Sequence, residues 1–224
     1  MHLFLTLLSN KTYSVFSGTT IRLVDLLDEG LKRCEEKLME NGRNKELTEE
    51  ELEKVKKSVA YGCIKYADLS HDRTNDYVFS FDRMLEDKGN TAAYLLYAYT
   101  RICSIARNAG VSQESLNEYA SASLKKGGIE ISHPKEQELA KSILKFPTVL
   151  NTVCSNLKPH MLCEYLYDLS KTFTEFYSVC YCIQKNEKTG ETTIHMNRLC
   201  LCEATAKIMQ SLFKILGLKT VEKM

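Results

Sequence analysis

The sequence predicts a mainly α-helical bundle carrying one small β-hairpin or loop insertion near residues 181–196. Three observations predict it. Apolar residues recur at steps of three and four along almost the whole chain, the period of helices with one buried face. Only three prolines interrupt the 224 residues, so few positions forbid a helix. The helical period fails between Tyr181 and Met196, where Lys188-Thr189-Gly190 reads as a turn between two extended arms.

The elements follow in order. Leu23, Leu26, Leu27, Leu31, Cys34 and Leu38 form the stripe of a first helix, with Gly42 as its stop. Thr48 followed by Glu51 has the spacing of a capping box and opens a second helix that buries Leu52, Val55, Val59, Cys63 and Ile64. From Asp68 to Lys88 the chain is rich in Asp, Arg and Asn, which predicts an ordered loop with short pieces of helix or strand. Gly89-Asn90-Thr91 starts a long helix running to about Asn108, and Ser112 caps another. Ser132 with Pro134 marks a further start, because proline fits the first helical turn. Lys145-Phe146-Pro147 separates two short helices, and Pro159 opens an amphipathic one through Leu162, Leu166, Leu169, Phe173 and Phe176. The last helix runs from Asn197 to about Leu216 and stops at Gly217.

Composition excludes several function classes. Hydrophobic residues at 44% and charged residues at 26% are globular values and argue against disorder. A formal net charge of +1 supplies no long-range field for DNA, so any nucleic-acid contact must come from local placement of basic and aromatic side chains. The nine cysteines are odd in number and most sit among apolar neighbours, which fits buried thiols in a reducing cytoplasm better than a disulfide framework. The opening Met1-His2-Leu3-Phe4-Leu5-Thr6-Leu7-Leu8 lacks the basic start and small-residue cleavage site of a signal peptide. No apolar run is long enough to span a membrane. The expected location is therefore cytoplasmic.

On a helical wheel of about 100° per residue, Leu95, Ala98, Tyr99, Ile102, Ala106 and Ala109 gather as a core stripe. Tyr94, Tyr97, Arg101, Ser104 and Asn108 gather beside it. Two readings of that second face stand. Its rings can stack unpaired bases while the guanidinium meets a phosphate or base edge. Alternatively both tyrosines pack against a neighbouring helix and Arg101 pairs with a carboxylate.

Longer stretches carry a resemblance. Tyr61-Gly62-Cys63-Ile64-Lys65-Tyr66-Ala67-Asp68-Leu69-Ser70, Asp72-Arg73-Thr74-Asn75-Asp76-Tyr77-Val78-Phe79, Phe81-Asp82-Arg83-Met84-Leu85 and the segment from Gly89 to Ile102 resemble arginyl-tRNA synthetases of class I. So do Tyr165-Leu166-Tyr167-Asp168-Leu169, Phe173 to Tyr177, Arg198-Leu199-Cys200-Leu201-Cys202-Glu203-Ala204, Leu216-Gly217-Leu218 and Glu222-Lys223-Met224. The likeness is collinear over about residues 18–224, and Tyr181-Cys182 with the insertion resembles the eukaryotic cytoplasmic branch.

The resemblance implies a helical bundle of the class I synthetase anticodon-binding type, named for its DALR motif, which grips the anticodon stem-loop of tRNA-Arg. It implies that Tyr97 and Arg101 contact unstacked loop nucleotides, that Tyr177 joins them from the helix begun near Pro159, and that Met224 packs at the same pocket. The naming motif is weak here, reading Glu203-Ala204-Thr205-Ala206. The implied organisation is an atypical N-terminus over 1–18, a helical connector over 19–60 and the anticodon-binding domain over 61–224. Met1 to about Thr12 do not resemble the family, which points to a truncated gene model or an alternative start.

In the family the complete enzyme uses ATP and Mg. Its first ATP-holding signature, an HIGH-type sequence, is not in this chain, and the second survives only as Tyr13-Ser14-Val15-Phe16-Ser17-Gly18. The chain is therefore expected to bind neither group and to be inactive in isolation, with no catalytic residue of its own. Its implied partners are tRNA-Arg and, beyond it, a catalytic half or other synthetases, but no DNA and no membrane. The alternative is a non-catalytic tRNA-binding or synthetase-assembly protein that keeps the fold.

Three further candidates are weaker. Cys180-x-Cys182 and Cys200-x-Cys202 have poor spacing for zinc, and two cysteines two apart on a helix point about 200° apart. His71 reads as structural or solvated rather than as a base. Lys54, Lys56 and Lys57 read as a solvated helix face, with contact to a tRNA stem as the other possibility.

Overall fold

The computed structural model describes residues 5–7, 11–13, 22–40, 42, 47–186 and 190–221, with side chains from residue 22 onward. Its order is β1 (Leu5–Leu7), β2 (Lys11–Tyr13), α1 (Leu23–Glu40), α2 (Glu49–Leu69), α3 (Phe81–Met84), α4 (Ala92–Ala109) and α5 (Gln113–Lys125). Then follow α6 (Pro134–Leu144), α7 (Phe146–Asn156), α8 (His160–Val179), β3 (Ile183–Lys185), β4 (Thr192–Ile194) and α9 (Met196–Ile215). The chain is mainly helical, as its periodicity predicts. The insertion is an antiparallel hairpin in which Ile183 faces Ile194 and Lys185 faces Thr192. A second hairpin pairs β1 with β2 in the register Leu5 to Tyr13. Sequence analysis did not expect it, because three-residue arms are too short to show alternation.

Local chemistry explains the boundaries. Thr48 and Glu51 close the capping box on each other's backbone, the Thr48 Oγ1 accepting from the Glu51 N–H at 3.2 Å and Glu51 accepting from the Thr48 N–H at 3.0 Å. Thr91 and Ser112 accept from the third residue beyond them and start α4 and α5. At α6 the cap is His133 rather than Ser132. Its Nδ1 accepts from the Lys135 N–H, and Glu136 reaches back to the N–H groups of both Ser132 and His133. α9 ends in a Schellman turn: Leu218 N–H bonds Phe213 O, and Gly217 sits at φ 69°, a conformation that a Cβ would strain.

α1 and α2 pack closely at Gly30, where an added Cβ would stand 2.8 Å from Ile64 Cδ1. α4 lies against α2, α8 and α9, while α8 also packs on α6 and α7. The centre holds Phe173, Phe176 and Phe213 with Leu95, Leu166 and Leu169, all fully buried. Burial pushes the Cys34 thiol up to about 11 and those of Cys63 and Cys163 up to about 12, so these cysteines behave as core hydrophobes. Leu52, expected in the core, is half-buried at its edge.

One charge lies inside. Glu136, 1% exposed, accepts from Arg198 Nε at 2.7 Å, so α6 and α9 are joined by an ion pair. Burial pushes the Glu136 carboxyl up, but Arg198 and the His133 and Ser132 N–H groups outweigh it and hold it below the ordinary glutamate range. Such a group stabilises the fold above its unfolded value near about 4.3, and the contribution fades as pH falls through the lower folded value. Replacing Glu136→Gln is expected to cost about 1–3 kcal/mol in urea unfolding at neutral pH. It should also flatten the loss of stability below about pH 4. A variant as stable as the parent at pH 7 would show that the pair contributes nothing.

Candidate nucleic-acid interface

α4 places its polar face by its start. Thr91 Oγ1 donates to Glu86 O at 2.7 Å and accepts from the Tyr94 N–H, which pins the first turn and so sets where Tyr94, Tyr97 and Arg101 emerge. The core side buries Leu95, Leu96, Ala98, Tyr99, Ile102 and Ile105, with Ala106 half-buried. On the other side Tyr97 is 46% exposed, Arg101 is exposed and Tyr94 is half-buried.

α8 brings the second set. The Arg101 guanidinium lies over the Tyr177 ring, 5.2 Å from its centroid. No carboxylate among the described residues pairs with Arg101, so the cation–π contact takes the place of the ion pair that plain packing would give. Below, Phe173 stacks on Tyr177 at 6.0 Å and 11°; beside it, Tyr181 meets it edge-on at 6.5 Å. Burial raises the Tyr177 phenol above its ordinary value, while Arg101 pulls it down, so the ring is neutral at physiological pH. Seven residues before Arg101, Tyr94 packs edge-on against Tyr167 at 5.8 Å, and Lys171 Nζ stands 5.5 Å from the Tyr167 centroid. Tyr97 is thus bracketed by two contacts between α4 and α8, and no ring among the described residues covers it.

The hairpin root is tied to the same place. Arg198, already bonded to Glu136, donates through Nη1 to Tyr181 O at 2.8 Å. Just beyond, the buried Cys182 and Cys202 thiols face each other at 3.5 Å. Among the described residues no group of three or more His, Cys, Asp or Glu side chains is arranged to hold a metal ion.

Of the residues expected from sequence, the structure brings together Tyr97, Arg101 and Tyr177, with Tyr94 alongside as a boundary ring. Ser104 and Asn108 continue the same face of α4, half-buried and exposed, and no contact among the described residues joins them to Tyr177. Met224 and the Ser14 to Gly18 remnant lie outside the described residues. Sequence reasoning missed Tyr167, Lys171 and Tyr181. The i, i+4 spacing of Tyr167 and Lys171 on α8 is the available signal, masked by the apolar stripe of the same helix. His71 is structural: its ring stacks on Tyr77 at 4.2 Å and its Nδ1 donates to Ala67 O at 2.6 Å. Thr205, in the weak naming motif, is fully buried and donates to Leu201 O, so its hydroxyl is satisfied within α9.

Residues 95–224 match the DALR anticodon binding domain, and residues 2–81 match the class I (R) tRNA synthetase catalytic domain, including the opening residues that seemed unlike the family. The cytoplasmic arginine–tRNA ligase of Xenopus tropicalis is 57% identical over 215 residues, covering 96% of this chain and 32% of the relative. The human cytoplasmic arginine–tRNA ligase is 53% identical over the same shares. The chain therefore spans about a third of the length of the curated relatives it matches. Among solved structures, the arginyl-tRNA synthetase of Plasmodium falciparum aligns with TM-score 0.75 and 32% identity, covering 91% of this chain and 34% of that one. The Thermus thermophilus arginyl-tRNA synthetase aligns with TM-score 0.77 at 21% identity over 99% of this chain and 34% of its own, a likeness of fold. With more than half its length matched to one family model, the chain belongs to the DALR anticodon binding domain family, in the arginine–tRNA ligase lineage.

Proposed function

We propose that this chain binds tRNA-Arg through the anticodon stem-loop and in that way serves arginyl-tRNA formation, as part of an arginine–tRNA ligase working in the cytoplasm. The observation that carries the reading is Tyr97, a phenol standing uncovered between Arg101 and Tyr94 while every ring around it is already packed. A loop nucleotide freed from its own stack finds there an aromatic face with a cation beside it. Stacking is worth roughly 1–3 kcal/mol per base and needs no particular base edge. Arg101 is preorganised, because its place over Tyr177 holds the guanidinium still without neutralising it, leaving its N–H groups for a phosphate or a base. Ser104 and Asn108 belong to this reading as an extension of the same face of α4, and Met224, outside the described residues, belongs to it through the family resemblance alone. The relatives are named arginine–tRNA ligases, which supports tRNA-Arg as the partner.

Chemistry is a separate matter. Adenylate formation requires donors placed around the triphosphate as charge develops, and this sequence has no HIGH-type signature to supply them. ATP and Mg are accordingly assigned to the complete enzyme, and the chain contributes by holding the tRNA.

Two measurements test this. In a gel-shift titration, tRNA-Arg is expected to bind more tightly than the same tRNA with a swapped anticodon. Tyr97→Ala should weaken the cognate complex by about 1–3 kcal/mol, and Tyr97→Phe should keep most of the affinity. Equal binding of the two tRNAs, or a silent Tyr97→Ala, would refute the anticodon assignment. In ATP–pyrophosphate exchange the isolated chain should show no arginine-dependent turnover; turnover above background would overturn the division of labour.

A further inference from the structure

A second concave surface is shared by α2 and α9. It is a cleft of about 800 Å³ between the first turns of α2 and the end of α9, walled by Lys54, Lys57, Lys214 and Lys219. Its floor is apolar, with Phe213 and Leu218 both buried, and Ser58 and Gln210 sit in the wall. Among the described residues no carboxylate lines it. A chain of net charge +1 has thus gathered four ammonium groups in one hollow.

These lysines have little to hold them inside the fold. Lys56, their neighbour on α2, is firmly engaged, at 2.6 Å from Glu53 and 3.5 Å from Glu35. Lys57 reaches Glu53 only at 3.8 Å. Among the described residues, Lys54, Lys214 and Lys219 have no ion pair or hydrogen-bonded acceptor. Nor do the helix-end carbonyls absorb them. At the end of α9 the carbonyls of Leu212, Phe213 and Lys214 accept from the chain itself, and Gly217 O accepts from Lys65 Nζ at 2.8 Å. Ammonium groups that share a hollow repel one another, and a polyanion relieves that repulsion while releasing its own counterions.

The cleft is also placed for the ligand already assigned to α4. A Cβ added at Gly62 of α2 would stand 3.6 Å from Leu218 and 3.9 Å from Leu96, the chain neighbour of Tyr97. Lys57 and Lys54 precede Gly62 by five and eight residues, which is about 8 and 12 Å along a helix axis. That separation is short beside the length of an RNA stem. We propose that this lysine cleft is a second RNA contact, taking backbone phosphates of the same tRNA whose loop meets the Tyr97 face. The inference rests on the anticodon reading for its ligand but concerns a different surface and a different kind of contact: phosphate charge, which positions without reading sequence.

The two contacts have separable signatures. The test uses the full chain and the triple variant Lys54→Gln/Lys214→Gln/Lys219→Gln, titrated with tRNA-Arg and with its anticodon-swapped form over a series of salt concentrations. The triple variant is expected to weaken binding of both tRNAs alike, by about tenfold at low salt. It should also reduce the slope of log K against log salt by roughly 2. Tyr97→Ala should instead reduce the preference between the two tRNAs and leave the slope unchanged. If the triple variant keeps the parent slope while tRNA-Arg is still preferred, the cleft is no RNA contact and the anticodon reading stands. If the slope falls but neither tRNA is preferred, the cleft stands and the anticodon reading fails. Binding of neither tRNA by the parent chain overturns both.

Discussion

α4 is confined on three sides. α2, α8 and α9 press against it, and its small residues let them come close: Ala92, Ala93 and Ala98 are buried where larger side chains would push the bundle apart. Only one stripe of that helix is left to solvent, and it carries Tyr97 and Arg101. A residue on a free surface helix can lean in several directions. Here the core decides the helix's rotation, so the packing of Leu95, Leu96 and Ile102 also sets the direction in which the uncovered ring points.

The neighbours of that ring are held by a chain of contacts that begins far from it. Glu136 on α6 grips Arg198 on α9; Arg198 grips the Tyr181 carbonyl at the hairpin root; Tyr181 braces the edge of Tyr177, and Tyr177 carries Arg101. A buried ion pair seldom adds much net stability, since removing two charges from water costs nearly what their attraction returns. Its value here is geometric. It fixes where the insertion leaves the bundle and therefore where the aromatic wall beside Tyr97 stands.

The two surfaces divide the physics of RNA binding between them. At α4 and α8 an uncovered ring among packed ones is shaped for a base, with one cation held by cation–π contact rather than by a counter-charge. At α2 and α9 three of the four cations, Lys54, Lys214 and Lys219, carry no ion pair among the described residues, above an apolar floor. A base stack is short-ranged and depends on orientation, whereas phosphate attraction is long-ranged and weakens with salt. A chain with almost no net charge thereby has both kinds of contact without the indiscriminate attraction of a basic protein.

Much of this was legible before any coordinates. The helices, the capping box at Thr48, the stop at Gly217, the hairpin near 181–196 and the division of α4 into a core stripe and a polar face are all local, set by residues within a few positions of one another. Periodicity and caps encode them directly, because a helix fixes the angle between neighbours on its own chain. What the tertiary fold decided is every meeting between distant segments. Arg101 over Tyr177 spans 76 residues, and Tyr94 against Tyr167 spans 73. The lysine cleft joins the start of α2 to the end of α9. No spacing rule relates such positions. They are brought together by burial of apolar faces around one core, which is indifferent to the polar side chains it carries to the surface. The sequence thus determined which faces existed; the packing of those faces decided which of them became a site.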